Sequence, residues 1–229
     1  MTQTKANQAQ ACFFIPGKDL GGGPPTGAAW HQPKPNQAQA GIKKLFPLSL
    51  LLFLPALICH FMPNWTHWLE WNRAALEQGQ YWRHLTGHWT HWDSDQLLYN
   101  GLAFAALGAL CENLNPKAWR RTLLLAIPAV SATMWWAQTD FPTYRGLSGL
   151  DSALYVLLAT LLLRHKKDPT TKILALLGLA AFLGKVGYES LSGTTLFATD
   201  TGTYTPLPLT HLVGGLCGLL AGLGRRGGY

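Results

Sequence analysis

The sequence predicts an all-α membrane protein with six transmembrane helices, and three observations carry that prediction. The chain is 48% hydrophobic but only 13% charged, whereas an ordinary soluble domain is roughly 25% charged. Its apolar residues are concentrated in blocks of similar length, and most of its cationic residues fall between alternate blocks. These features exclude a disordered chain, a disulfide-stapled secreted domain and a soluble enzyme with one compact core.

The N-terminal segment differs from the rest of the chain. Residues 1–41 are rich in Gln, Asn, Ala, Gly and Pro, and the string KANQAQA at 5–11 nearly recurs as KPNQAQA at 34–40. Such a composition cannot bury enough apolar surface to fold. We therefore expect a disordered cytoplasmic tail over 1–41 and one membrane domain over 42–229.

Six apolar stretches follow the tail. They cover residues 45–62, 96–112, 119–137, 148–163, 172–188 and 207–224. Each is near the ~20 residues that cross a hydrocarbon layer of ~30 Å as a helix. Pro47, Pro55 and Pro128 lie inside these stretches, which membrane helices tolerate better than soluble helices do.

The flanks of the stretches agree with this count. The first stretch follows a basic pair, as a signal peptide would, but it has no A-x-A cleavage site and we expect it to be retained. A long loop at 63–95 leads to the second, a basic turn with Lys117 leads to the third, and the fourth opens on Ser148. Basic residues between 164 and 172 precede the fifth, and a Gly/Thr/Ser-rich loop at 189–206, which could move as a lid, precedes the sixth.

Positive charge sets the predicted orientation. If the N-terminus is cytoplasmic, fourteen cations fall in inner segments, namely Lys5, Lys18, Lys34, Lys43, Lys44, Lys117, Arg120, Arg121, Arg164, Lys166, Lys167, Lys172, Arg225 and Arg226. The outer loops then hold only Arg73, Arg83 and Arg145. Lys185 lies near the outer end of the fifth stretch, where snorkelling or pairing with Glu189 accounts for it. Because cytoplasmic segments carry the excess of Lys and Arg, we expect both termini in the cytoplasm and no nucleic-acid partner.

Aromatic residues mark the predicted outer face. Eight tryptophans cluster there as interfacial anchors would: Trp65, Trp68, Trp71, Trp82, Trp89, Trp92, Trp135 and Trp136. The stretch QYWRHLTGHWTHW at 80–92 is expected to be ordered and amphipathic and to lie on the bilayer surface.

Neither cysteines nor histidines form a strong metal or disulfide pattern. The four cysteines are scattered through the tail and the apolar stretches: Cys12, Cys59, Cys111 and Cys217. His84, His88 and His91 have the spacing H-x3-H-x2-H, which can gather three imidazoles on zinc. We expect no metal and no cofactor. Loss of activity on addition of a chelator would instead support a zinc site.

The fourth stretch opens with a candidate nucleophile. Ser148 lies between Gly146-Leu147 and Gly149, so its hydroxyl is accessible and the N–H groups of the helix start can act as oxyanion donors. Small residues also pack membrane helices together, and from the residues alone that interpretation is equally good.

The sixth stretch contains a candidate base. Gly214 and Gly218 form a GxxxG face that permits close helix approach, and His211 lies one turn above it. If this face packs on the fourth stretch, His211 and Ser148 meet at one depth, as a base and its nucleophile. The alternative is a buried histidine with a structural role.

The second stretch begins with two amides on one helical face. Gln96 and Asn100 are four residues apart, and both can donate hydrogen bonds to a developing oxyanion. Interhelical hydrogen bonding is the alternative.

Asp151 follows Ser148 by one turn, where an acid at a helix N-terminus is favoured by the dipole. A second hypothesis is that Asp151 steers His211 and completes a triad.

Together these motifs resemble the rhomboid family of intramembrane serine proteases over residues 45–224. The family pattern corresponds here to Trp82-Arg83, His91, Gln96-x-x-x-Asn100, Glu112, GLSG at 146–149 and HxxGxxxG at 211–218. The resemblance implies a Ser148–His211 dyad, with Asn100, Gln96 and the Ser148 N–H holding the oxyanion and a structural role for His91. Gln96 replaces a family histidine; it keeps a donor but loses the option of positive charge.

The strings TGHWTHW at 86–92 and YRGLSG at 144–149 look like the rhombosortase branch of that family. This resemblance implies a protease of the bacterial inner membrane whose active site opens to the periplasm. Its substrates would be membrane-anchored proteins ending in Gly-Gly, an apolar helix and a basic cluster. A general rhomboid protease with other single-span substrates and a pseudoprotease that binds membrane helices are the alternatives. A small transporter is a poorer fit, since no inverted repeat is visible.

Overall fold

The structure is a computed structural model, and it describes residues 47–195 and 205–224. The described residues are almost entirely helical. The predicted tail at 1–41, the centre of the 189–206 loop and the basic pair at 225–226 lie outside them.

Nine α-helices and one strand pair make up the described part of the chain. The helices are α1 (Leu48–Phe61), α2 (Pro63–Leu69), α3 (Arg73–Glu77), α4 (Arg83–Thr86), α5 (Ser94–Leu114), α6 (Pro116–Trp136), α7 (Ser148–His165), α8 (Pro169–Ser192) and α9 (Pro208–Leu223). A 3-10 turn covers Gly87–Trp89, and the strands are β1 (Trp71–Asn72) and β2 (Thr143–Tyr144). Each of the six predicted apolar stretches therefore coincides over most of its length with one helix of at least 14 residues.

Length and mean hydropathy select fewer membrane spans than six. Within the described residues, α5 and α8 are long and apolar enough to cross a bilayer, and α1 with α2 forms a third candidate that bends by 116°. Helix α9 is apolar but shorter. These helices agree with the predicted all-α membrane fold; the count of six and the position of the termini stay predictions.

Local signals in the sequence start three of the long helices. Asp93 caps α5 by accepting a hydrogen bond from the Gln96 N–H at 2.7 Å. Asn115 and Asp168 cap α6 and α8 in the same way. A side-chain oxygen before the first turn satisfies an N–H that has no partner inside the helix.

Helix α7 is the centre of the fold. Ten of its 18 residues are buried, and α9 packs along it through small residues. A Cβ on Gly214 would collide with the Gly149 carbonyl, and one on Gly218 would collide with the Ala153 carbonyl. The contacts advance in the same direction on both helices, so α7 and α9 run parallel and begin at the same end.

A buried polar contact joins α1 to α5. The backbone N–H and hydroxyl of Ser49 both donate to the Glu112 carboxylate at 3.3 Å. Glu112 lies near the C-terminal end of α5. Its carboxylate therefore fixes α1 against α5 at that end.

The connection between α1 and α5 is folded around Arg83. This guanidinium is buried and donates to the carbonyls of His67 and Glu70 at 2.9 and 2.8 Å. Strand β1 then pairs antiparallel with β2, with Trp71 opposite Tyr144. The connection between α1 and α5 is thereby joined to the segment that leads into α7.

The tryptophans divide between surface and core. Four of the predicted interfacial anchors are exposed: Trp65, Trp68, Trp82 and Trp136. Trp71 is completely buried and packs with Leu76, Val130 and Met134. The prediction that Trp71 anchors the protein at the interface is wrong, because the β1–β2 pairing turns its side chain into the core.

Candidate active site

Ser148 is the first residue of α7, and a glycine with a positive φ precedes it by two positions. Gly146 has φ +122°, a conformation that side chains with a Cβ rarely adopt. A Cβ there would also lie 2.9 Å from Gln96 Nε2 and 3.3 Å from Asn100 Nδ2. The backbone at Gly146 therefore approaches both amides closely, and Ser148 begins a helix whose first N–H groups have no intrahelical acceptor.

Backbone contact between α7 and α9 brings Ser148 and His211 together. A Cβ on Gly149 would lie 3.5 Å from the Thr210 carbonyl, and Gly214 contacts the Gly149 carbonyl directly. The residues next to Ser148 and His211 in sequence are thus in contact. Among the described residues no direct hydrogen bond joins the two side chains, and such contacts often tighten only when substrate binds.

One cavity of about 650 Å³ contains all four of the predicted reactive and oxyanion side chains. Its lining includes Gln96, Asn100, Ser148 and His211. It also includes Asp151, Lys185 and Glu189, and an apolar wall that contains Tyr155 and Phe182. Helices α5, α7, α8 and α9 all contribute to this cavity, although they are far apart in sequence.

Asn100, which lines this cavity, has a hydrogen-bond donor without a partner among the described residues. Its Nδ2 is buried and has no hydrogen-bond partner within the described part of the chain. An unsatisfied buried N–H costs on the order of 1–3 kcal/mol, so a group that accepts from it is favoured there. An oxyanion formed next to Ser148 would be such an acceptor.

Gln96 is bound to the backbone on both sides. Its Oε1 accepts from the Trp92 N–H at 2.8 Å, and its Nε2 donates to the Arg145 carbonyl at 3.2 Å. These partners define which way the amide faces and leave one hydrogen of Nε2 for a further acceptor. Gln96 therefore fixes the segment before Ser148 as well as lining the cavity.

Further contacts hold that segment against the connection between α1 and α5. The Arg145 guanidinium lies 2.6 Å from the Glu70 carboxylate and stacks over the Trp92 ring at 4.3 Å. The Tyr144 hydroxyl donates to the Gly146 carbonyl at 2.8 Å. Burial raises the pKa of Tyr144 well above its usual value, so the phenol keeps the proton that it donates. The segment before Ser148 is thus positioned by side chains from the distant connection between α1 and α5.

His211 is held by a residue that the sequence analysis did not place at the site. Its Nδ1 lies 3.1 Å from Glu189 Oε2, and the same oxygen accepts from Lys185 Nζ at 2.7 Å. His211 and Glu189 are 5% and 3% exposed, so this contact is buried. A signal for this contact was present in the sequence, since a cation near the end of an apolar stretch has an acid one turn further along.

Within the described residues no hydrogen bond joins Asp151 to His211. Both of its carboxylate oxygens are buried and have no hydrogen-bond partner within the described residues. Ser148 does not cap α7 through its side chain either, since Leu147 occupies the N-cap position. Asp151 lines the cavity, while Glu189 is the acid that reaches His211.

Two of the three loop histidines are buried. The Nε2 of His88 donates to the Ile127 carbonyl at 3.1 Å, whereas His91 has no ring partner within the described residues. Burial lowers the pKa of His88 to about 4 and that of His91 to about 3. The described residues contain no group of three or more His, Cys, Asp or Glu side chains placed to hold a metal ion.

The comparisons with known proteins agree with these motifs. A family model described as Rhomboid domain matches residues 78–227. The matched range includes the amides of α5, the start of α7 and the whole of α9. A search of curated proteins finds no match.

Proposed function

The chain belongs to the rhomboid family of intramembrane serine proteases, and we propose that it is an active endopeptidase with Ser148 as nucleophile and His211 as base. One observation carries this proposal. The glycine contact between α7 and α9 holds the first turns of the two helices together, with both side chains at one cavity. A serine and a histidine on separate helices have this relation when they act as a pair.

The reaction that this pair would perform is acyl transfer. Ser148 Oγ forms a bond to the substrate carbonyl carbon while His211 Nε2 takes the hydroxyl proton. The carbon–nitrogen bond then breaks, and Nε2 returns that proton to the leaving amine. Water, activated by the same nitrogen, hydrolyses the acyl-enzyme and restores Ser148.

The oxyanion would be held by donors from α5 and α7. Asn100 Nδ2 is the strongest candidate, because it is buried and unpaired among the described residues. The Ser148 backbone N–H is free of an intrahelical partner, and Gln96 has one amide hydrogen left. Removing one such donor typically costs ~2.7–4 kcal/mol in the transition state.

The membrane arrangement that we propose has six spans, with both termini in the bacterial cytoplasm and the cavity open to the periplasm. The fourteen inner cations support this orientation. The parallel packing of α7 and α9 supports it too, because helix α8 must then return between them. With 18 residues, α7 is about 27 Å long, shorter than the ~30 Å hydrocarbon core, so its start can lie in a water-filled depression.

For substrates we propose membrane-anchored proteins with a tail of Gly-Gly, an apolar helix and a basic cluster. The support is the likeness of 86–92 and 144–149 to rhombosortases. The chemistry is compatible, since a helical substrate must unwind before its backbone reaches Ser148. Glycines favour unwinding and leave room for that approach.

Cleavage of a reporter tests this proposal. The reporter carries a Gly-Gly, apolar helix and basic tail and is co-expressed with the wild type, Ser148→Ala or His211→Ala. A product with the wild type alone is the expected result. A second reporter with Leu-Leu in place of Gly-Gly tests the substrate class.

Each outcome assigns a function. Equal cleavage of both reporters would indicate a general rhomboid protease. No cleavage of either, with a stably expressed wild type and a working control rhomboid, would contradict the proposal. The variant Gln96→His would then decide between two explanations. It would restore cleavage to a protease weakened at Gln96, but not to a protein that only binds membrane helices.

A further inference from the structure

We propose that Glu189 is a positioning residue that turns the Ser148–His211 pair into a triad; this inference rests on the proposed function. The geometry comes from two helices. Glu189 is on the last turns of α8, and His211 is on the first turn of α9. The 3.1 Å contact between Glu189 Oε2 and His211 Nδ1 joins them.

The contact assigns the imidazole proton. A carboxylate oxygen only accepts hydrogen bonds, so a nitrogen 3.1 Å away from it carries a hydrogen. Nδ1 of His211 is then protonated, and Nε2 keeps the lone pair that a base needs. Lys185 Nζ lies 3.4 Å from the same Nδ1, but both groups are donors in this arrangement and meet only because they share Glu189 Oε2.

Burial gives Glu189 a second role. When His211 takes the Ser148 proton, a positive imidazolium forms in a place where the histidine is 5% exposed. An isolated charge in such surroundings is strongly disfavoured. A carboxylate already in contact with Nδ1 supplies the compensating charge without any rearrangement.

Lys185 keeps the carboxylate ionised before the reaction. Its ammonium lies 2.7 Å from Glu189 Oε2, and the two side chains are 24% and 2% exposed. A buried acid with no cation beside it would bind a proton and become a poor acceptor for His211. Asp151 is the other acid of this cavity, and it contacts neither His211 nor Lys185 through a hydrogen bond in the described residues.

Substitutions at Glu189 test this role in the reporter assay with purified protein in detergent or liposomes. We expect Glu189→Gln to lower kcat by on the order of 10²- to 10⁴-fold with KM within about threefold. The upper end is the effect of the same acid-to-amide change in a Ser-His-Asp triad. Glu189→Asp should restore part of the loss, and Glu77→Gln, at an exposed glutamate of α3, is the control without effect.

A charge-neutral double variant separates positioning from simple pairing with Lys185. If Glu189 only neutralises Lys185, then Lys185→Met with Glu189→Gln removes both charges and restores kcat. If Glu189 orients His211, the double variant stays as slow as Glu189→Gln, because His211 still lacks its carboxylate partner. A double variant with wild-type kcat overturns the inference, as does a Glu189→Gln single variant with wild-type kcat.

The tautomer of His211 can be read without proteolysis. In ¹⁵N spectra of histidine-labelled protein, with His211→Gln identifying the signal, the wild type should show a protonated Nδ1 and an unprotonated Nε2. Glu189→Gln should lose that preference. An inactive wild type would count against the proposed function, while the spectra would still decide the role of Glu189. An unchanged tautomer in Glu189→Gln refutes the positioning role of Glu189.

Discussion

A single methyl group at Gly214 should separate the two helices that carry the reactive side chains. In the wild type, the Gly214 position of α9 rests on the Gly149 carbonyl of α7, next to Ser148. The obstacle to a Cβ there is backbone on a helix, which cannot rotate away as a side chain can. Gly214→Ala must therefore move α9, and with it His211, relative to α7.

The size of the movement follows from ordinary contact distances. Carbon and oxygen atoms at close helix contacts lie about 3.3–3.6 Å apart, so the helices must separate by on the order of 1 Å. Overpacking of this kind costs typically ~1–3 kcal/mol of stability. A misplacement of ~1 Å between reacting groups can cost ~10²-fold in rate. We expect Gly214→Ala to lose about 100-fold in kcat/KM and to unfold at a lower temperature.

A matched control exists on the neighbouring helix. Gly184 in α8 has nothing within 4 Å of the position that a Cβ would take. Gly184→Ala should keep full activity and gain up to ~1 kcal/mol from the better helix propensity of alanine. Reporter cleavage and thermal unfolding of both variants in one detergent provide the measurement. Gly214→Ala with activity within twofold of the wild type would refute the argument that close α7–α9 contact aligns the pair.

Three further predictions concern the oxyanion site, the loop before Ser148 and the buried histidines. Asn100→Ala should lower kcat by ~10²–10³-fold with little change in KM. Steady-state cleavage of the reporter measures both constants, and an unchanged kcat would show that Asn100 does not bind the oxyanion. Gly146→Ala should abolish cleavage, because it combines backbone strain of ~1–3 kcal/mol with a Cβ 2.9 Å from the Gln96 amide nitrogen. Gly79→Ala, at φ +88° in open space, is the control and should keep activity. Equal activity of the two variants would contradict the close approach at Gly146. Burial lowers the pKa values of His88 and His91 to about 4 and about 3 in the folded protein. The unfolded chain therefore binds more protons than the folded protein below pH 6.5. As the pH falls from 6.5 toward those values, the free energy of unfolding should drop by up to ~1.4 kcal/mol per pH unit per histidine. His88→Gln should flatten the dependence of the unfolding midpoint on pH, and an unchanged slope would show that His88 is not held neutral.

Much of the helical fold could be predicted from the sequence, because each long helix lies within or around one apolar block. Cap residues such as Asp93 and Asn115 mark the helix starts within a few positions. The resemblance to the rhomboid family is confirmed by the match to the family model. The rhombosortase assignment and the substrates stay predictions.

The contacts that the sequence did not reveal are those between distant segments. Trp71 was expected at the membrane interface because it lies in an aromatic-rich loop, but pairing of β1 with β2 buries it. Snorkelling or local pairing with Glu189 was expected for Lys185, and the structure shows the pairing. His211, 22 residues beyond Glu189, joins the pair from α9. Gln96 likewise bonds a carbonyl 49 residues away. Hydropathy and spacing define the elements, whereas tertiary contacts of this kind depend on how the helices pack.

The central claim is that Ser148 is a nucleophile activated by His211, and covalent labelling tests it most directly. A fluorophosphonate reacts with an activated serine hydroxyl and leaves a stable adduct that mass spectrometry locates. The wild type should carry one adduct, on Ser148, and both Ser148→Ala and His211→Ala should carry none. A folded wild-type protein without an adduct at Ser148, or a His211→Ala variant labelled as fast as the wild type, would contradict the claim.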